Sequence, residues 1–121
     1  MTWEPLSLDE IAHELVYRYR NEDKEIVNQV HKMRSNVAYG LERFWGEHLR
    51  LEGKKSEYWK ETWKELVSIM DRADITVPNS PQDLWDPEIF PLPYRKVTLA
   101  VLTQLCDSMV WWTQRYKHRV I

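Results

Sequence analysis

Apolar positions recur along this chain at steps of three and four residues, the spacing that gathers side chains onto one face of an α-helix. The first stripe is Leu8, Ile11, Ala12, Leu15, Val16 and Tyr19. Ser7-Leu8-Asp9-Glu10 stands at its head as a capping box, in which the serine and glutamate side chains satisfy free backbone amides. A helix is predicted from Ser7 to near Arg20. The second stripe is Ile26, Val30, Met33, Val37, Leu41, Phe44, His48 and Leu51. It predicts one long helix over residues 22–52, with the near-heptad rhythm of packed antiparallel helices. Gly40 and Gly46 fall inside it, each costing about 1 kcal/mol relative to alanine. They mark a kink or a close helix approach, and Gly53 supplies the stop. A third helix opens at Ser56, carries Trp59, Trp63, Leu66, Met70 and Ala73 on its inner face, and ends near Arg72.

Residues 74–93 break the rhythm, because five of the six prolines fall there. Ser80-Pro81 and Asp86-Pro87 each read as a cap followed by proline at the first helical position. Two short helical turns are expected, with Trp85 and Phe90 pinning the loop to the bundle. The last helix runs from about Tyr94 to His118. Val97, Ala100, Val101, Leu102, Leu105, Cys106, Met109, Val110 and Trp112 cover most of its circumference. A helix this apolar belongs at the centre of a bundle or under a partner. Alternating strand patterns and internal repeats are absent from the sequence. The expected fold is therefore all-α: a four-helix bundle forming a single domain over residues 1–121, with the Pro-rich loop before the last helix.

The chain has 121 residues, is 43% hydrophobic and 30% charged, and so excludes a disordered tail or a low-complexity linker. Lys and Arg number 17 against 19 Asp and Glu, a balance of −2 that excludes a generic polycationic nucleic-acid binder. Charge is unevenly placed: residues 56–92 are acidic, whereas residues 93–121 carry Asp107 against Arg95, Lys96, Arg115, Lys117 and Arg119. The single cysteine, Cys106, cannot form an internal disulfide and reads as a buried thiol. Neither a signal peptide nor a membrane-spanning run is visible, so a reducing, cytoplasmic setting is expected. Seven tryptophans are available for the core or for interface anchors.

Three constellations match catalytic patterns only in part. Glu10-x-x-His13 sets a carboxylate and an imidazole on one helix face, but a di-iron bundle needs the motif twice. Glu22-x-x-Glu25, with Glu61, Glu65, Asp71 and Asp74, is similar to the magnesium-holding carboxylates of all-α nucleotide pyrophosphohydrolases, without their Glu-x-x-Asp partner. Arg43-Phe44-Trp45-Gly46-Glu47-His48 resembles the Arg-x4-His pattern of HEPN-type ribonucleases, which implies RNA cleavage by the Arg and His at a dimer interface. His48 also reads as a core histidine, given its place in the apolar stripe. There is no Gly-rich phosphate loop, no zinc-spaced Cys and His cluster and no nucleophile motif, so neither a metal nor a cofactor is expected.

The second helix also carries a polar stripe of Gln29, Lys32, Asn36, Tyr39, Arg43 and Arg50. Lys32, Arg43 and Arg50 suit phosphate contacts and Tyr39 suits stacking on a base. Arg18, Arg20 and Arg34 extend this basic surface, and Arg115, Lys117 and Arg119, with His118, form a second cluster. The plain alternative for that cluster is cations favoured at a helix C-terminus. In length, helical content, basic stripes and the character of Tyr94–Leu102 and Trp111–Tyr116, the chain resembles the small α-helical subunits of CRISPR effector complexes of the Cascade type. The resemblance implies a non-catalytic subunit that contacts nucleic-acid backbone through Lys and Arg, and neighbouring protein subunits, including copies of itself, through aromatic faces. A protein-only helical adaptor and a HEPN-like ribonuclease are the alternatives.

Overall fold

The computed structural model describes residues 5–117, and these form helices without any strand. In chain order they are α1 (Pro5–Tyr19), α2 (Lys24–Val27), α3 (Gln29–Asn36), α4 (Leu41–Arg50), α5 (Gly53–Arg72), α6 (Pro81–Trp85) and α7 (Leu92–Lys117). A 3₁₀ turn at Val37–Tyr39 joins α3 to α4. The all-α class matches the hydrophobic pattern, and α1, α5 and α7 fall where the apolar stripes place them. α1 already begins at Pro5, so Ser7-Leu8-Asp9-Glu10 sits within the helix instead of at its head. α5 opens at Gly53, and Ser56 inside it donates its hydroxyl to the His48 carbonyl (2.7 Å).

The single helix expected over residues 22–52 is replaced by three helices and a reversal. Gly40 adopts φ +99 and ψ 171, outside any helical conformation. The direction of each piece follows from its partners on α5. Trp59 Nε1 donates to Gln29 Oε1 (2.9 Å) and Thr62 lies against Met33, so α3 runs parallel to α5. Ser56 meets His48, while the Phe44 ring lies 4.8 Å from Trp59 and 6.2 Å from Trp63, so α4 runs antiparallel to it. The chain therefore turns back between Asn36 and Leu41. Five helices of eight or more residues, not four, make up the bundle among the described residues.

α1 runs antiparallel to α5, with Tyr19 stacked on Tyr58 (4.0 Å between ring centroids) and Arg18 paired with Glu61. It runs parallel to α7, where Trp112 Nε1 donates to Asp9 (3.1 Å) and Tyr116 meets His13 (2.7 Å). α7 in turn passes antiparallel to α3, held by Arg34–Asp107 and by Lys117 donating to Asn28 (3.0 Å). Leu15, Val30, Met33, Leu66, Met70, Leu102, Leu105 and Met109 are fully buried where these helices meet. Cys106 is buried among them, and burial pushes its thiol up to about 12, which leaves it inert at neutral pH.

The Pro-rich segment carries the two turns expected of it. Ser80 caps α6 by accepting the Asp83 amide (3.3 Å), and the Asp86 carbonyl accepts from Phe90 (2.8 Å) to close the second. Phe90, Leu84 and Val77 fasten it to the core. Trp85, expected to share that role, is instead 68% exposed. A helix of five residues buries one narrow face, here filled by Leu84, and the next side chain points about 100° away.

Two sets of measurements check this reading. Gly40→Ala is expected to cost about 1–3 kcal/mol in urea denaturation, because φ is positive there. Gly46→Ala is expected to gain about 0.5–1 kcal/mol, since a Cβ there meets nothing within 4 Å. The second set concerns alkaline pH. Burial, reinforced by Glu57 and Glu61, pushes the Tyr19 phenol up to about 12, and burial raises Tyr58 further. Both tyrosines are acids buried in their neutral form, so the unfolded chain releases their protons first. This contribution to stability is complete below about pH 10, the free-tyrosine value, and falls away as pH rises toward 12. Denaturation midpoints at pH 8, 10 and 11 follow that fall.

Candidate interaction surface

The reversal at Gly40 redistributes the basic stripe read from the sequence. Lys32 lies exposed on α3, Tyr39 and Arg43 flank the turn, and Arg50 stands at the far end of α4. Gln29 leaves the stripe altogether: it is 1% exposed and accepts the Trp59 indole N–H in the core. Arg50 points to a groove that also includes Asp23, Glu25 and Lys55, beside the N-terminal end of α3. The residues predicted to form one nucleic-acid face thus occupy two poles of the bundle.

Several of these cations are engaged by carboxylates. Arg18 reaches Glu61 (3.2 Å) and Glu65 (3.5 Å), Arg50 reaches Glu47 (2.6 Å), and Arg34 reaches Asp107. Such pairs at the surface contribute at most about 1 kcal/mol each. They nonetheless hold the guanidinium groups against protein anions. Lys117 donates to Asn28, and its ammonium, after burial, is the second cause that holds His31 below the ordinary imidazole value. Arg119 lies outside the described residues.

Four arginines, Arg20, Arg43, Arg95 and Arg115, follow a common geometry: each lies over an aromatic ring at the surface. Arg20 sits 3.5 Å from the Tyr17 centroid, Arg43 5.1 Å from Tyr39, Arg115 4.8 Å from Trp111, and Arg95 5.3 Å from Trp85. The four rings are between 47% and 68% exposed. Three of the pairs are three or four residues apart in sequence, and of these Trp111 and Arg115 stand one turn apart on α7. That spacing is present in the sequence, yet Tyr17 and Trp111 are not among the residues that the basic stripes select. The fourth pair, Trp85 and Arg95, depends on the Pro-rich segment folding back over α7.

The pairs gather at the two poles. Arg95 also contacts Glu42 (4.0 Å) and donates to the Leu84 carbonyl (2.6 Å), which ties Trp85–Arg95 to the α4 start where Tyr39–Arg43 stands. At the other pole Tyr17, Tyr116, Trp112 and Trp111 form a chain of ring contacts from α1 to α7, with His13 between Tyr17 and Trp112. Arg95 and Arg115 stand 20 residues apart on one helix, a separation of about 30 Å.

The partial catalytic patterns are placed as follows. His13 is engaged by Tyr116 and lies among rings, while Glu10 is exposed. Among the described residues no three His, Cys, Asp or Glu side chains converge as a metal site. Arg43 and His48, five residues apart, project about 140° apart around α4. Arg43 lies on Tyr39, whereas His48 Nδ1 donates to the Trp45 carbonyl and its ring meets Trp45 edge-on. Among the described residues no helix is long and apolar enough to cross a membrane. The chain matches no protein-family model, no curated protein and no solved structure.

Proposed function

We propose that the protein is a non-catalytic small helical subunit of a nucleoprotein assembly, of the kind that the CRISPR effector small subunits represent. The observation that carries this reading is the set of four arginine–aromatic pairs with exposed rings at the two poles, of which Arg43 and Arg115 are themselves exposed. A guanidinium donates to phosphate oxygens and the ring beside it offers a face for a base, the combination that binds nucleic acid without reading sequence. Two poles about 30 Å apart suit a subunit laid along an extended partner, touching it at each end. The net charge of −2 places the affinity in these local pairs and not in a long-range field.

A second reading, the protein-only helical adaptor, is favoured by the carboxylate pairing of Arg18, Arg34 and Arg50. Tyr, Trp and Arg are also the residues that anchor protein interfaces. The ribonuclease reading draws less support, because Arg43 and His48 lie on different faces of α4 and engage different neighbours.

Binding to labelled single-stranded and duplex nucleic acid at two salt concentrations tests the proposal, with RNA integrity read on the same samples. The expected result is binding that weakens with salt and leaves the RNA intact. Replacing Tyr39, Arg43, Trp111 and Arg115 together with alanine is expected to cost about tenfold or more, since stacking on one ring contributes about 1–3 kcal/mol. Absence of binding at low salt overturns the nucleic-acid half and leaves the adaptor. RNA cleavage abolished by His48→Ala, with the fold intact, moves the assignment to the ribonuclease.

A further inference from the structure

The strap of residues 74–79 crosses beside α4 and α5 and borders an open groove of about 410 Å³ with them, within the volume range of small-molecule sites. Its walls are apolar: Trp45, Trp63, Val67 and Val77. Trp45 Nε1 donates to Asn79 Oδ1 (2.9 Å), which holds the strap to α4 and fixes that indole in place.

The polar lining consists of His48, Lys60, Lys64 and Asn79, and includes no carboxylate in a chain with 19 of them. Lys60 and Lys64 lie on successive turns of α5 and have no ion-pair partner among the described residues. The other two lysines of the same helix are paired, Lys54 with Glu22 and Glu57, and Lys55 with Glu25. Trp63 is only 6% exposed, so it closes the groove on the core side.

We propose that this groove binds a small anion built on a planar ring. The ring lies against the Trp45, Val67 and Val77 walls, and its carboxylate or phosphate takes charge-assisted hydrogen bonds from Lys60 and Lys64. Cations without counter-charges and an apolar wall are two requirements that one such molecule meets together. The site is separate from the arginine–aromatic pairs, so its failure leaves the nucleic-acid reading standing.

Titration calorimetry on the full chain tests this with naphthoate and with adenosine monophosphate. The neutral counterparts are naphthalenemethanol and adenosine, and inorganic phosphate serves as the ring-free control. The expected result is saturable binding of at least one ring-bearing anion, tighter than its neutral counterpart and tighter than inorganic phosphate. Preference for naphthoate identifies a carboxylate ligand, and preference for the nucleotide a phosphate. The double substitution Lys60→Ala and Lys64→Ala, on exposed helical positions where alanine is well tolerated, is expected to weaken binding about tenfold or more. Its fold is verified by circular dichroism. The proposal is overturned if neither anion binds at low salt, if the neutral ring or bare phosphate binds as well, or if the double variant binds like the parent.

Discussion

Between Asn36 and Leu41 the backbone doubles back through a conformation, φ +99 at Gly40, that only glycine adopts without strain. Because of that turn, α3 lies along α5 in one direction and α4 in the other. α5 is covered by both, and each contributes its own apolar stripe to the core. Trp59 joins the two: its indole N–H is satisfied by Gln29 of α3 while its ring packs on Phe44 of α4. A continuous helix would have carried residues 41–50 away from α5 and left Trp59 and Trp63 without Phe44 as a neighbour. It would also have removed the α4 wall from the groove lined by Trp45 and Trp63.

The hydrophobic periodicity made the all-α class and three long helices legible, and the Ser80-Pro81 and Asp86-Pro87 pairs did the same for both turns of the Pro-rich segment. The periodicity did not show the reversal, and the reason is physical. A stripe at steps of three and four reports that a face is buried, not that the backbone beneath it is continuous. Val37 and Leu41 stay in phase because each half buries its face against the same core. The local signal that mattered was Gly40; the burial of Gln29 had none. Gln29 sits in the core because a buried indole N–H needs an acceptor, a requirement set by Trp59 thirty residues away.

The surface divides in the same way. Arginine–aromatic pairs one helical turn apart are readable from spacing, as with Trp111 and Arg115 on α7. Trp85 and Arg95 meet only after the segment between them folds. Whether an arginine is free or tied to a carboxylate is equally a tertiary property, as Arg18 on α1 with Glu61 on α5 shows. The groove beside α5 is furthest from the sequence, since Lys60 and Lys64 acquire their apolar neighbours from α4 and from the strap at Val77.

A distance between spin labels at Glu25→Cys and Arg50→Cys tests the reversal directly. Both positions are exposed, and buried Cys106 stays unlabelled at neutral pH. On one continuous helix the two backbone positions stand about 37 Å apart. In this fold they line the same groove, and Lys55 of α5, which pairs with Glu25, lies in it too. The predicted result is a single distance distribution far below the continuous-helix value. A distribution centred near that value contradicts the fold and, with it, the arrangement of both proposed sites.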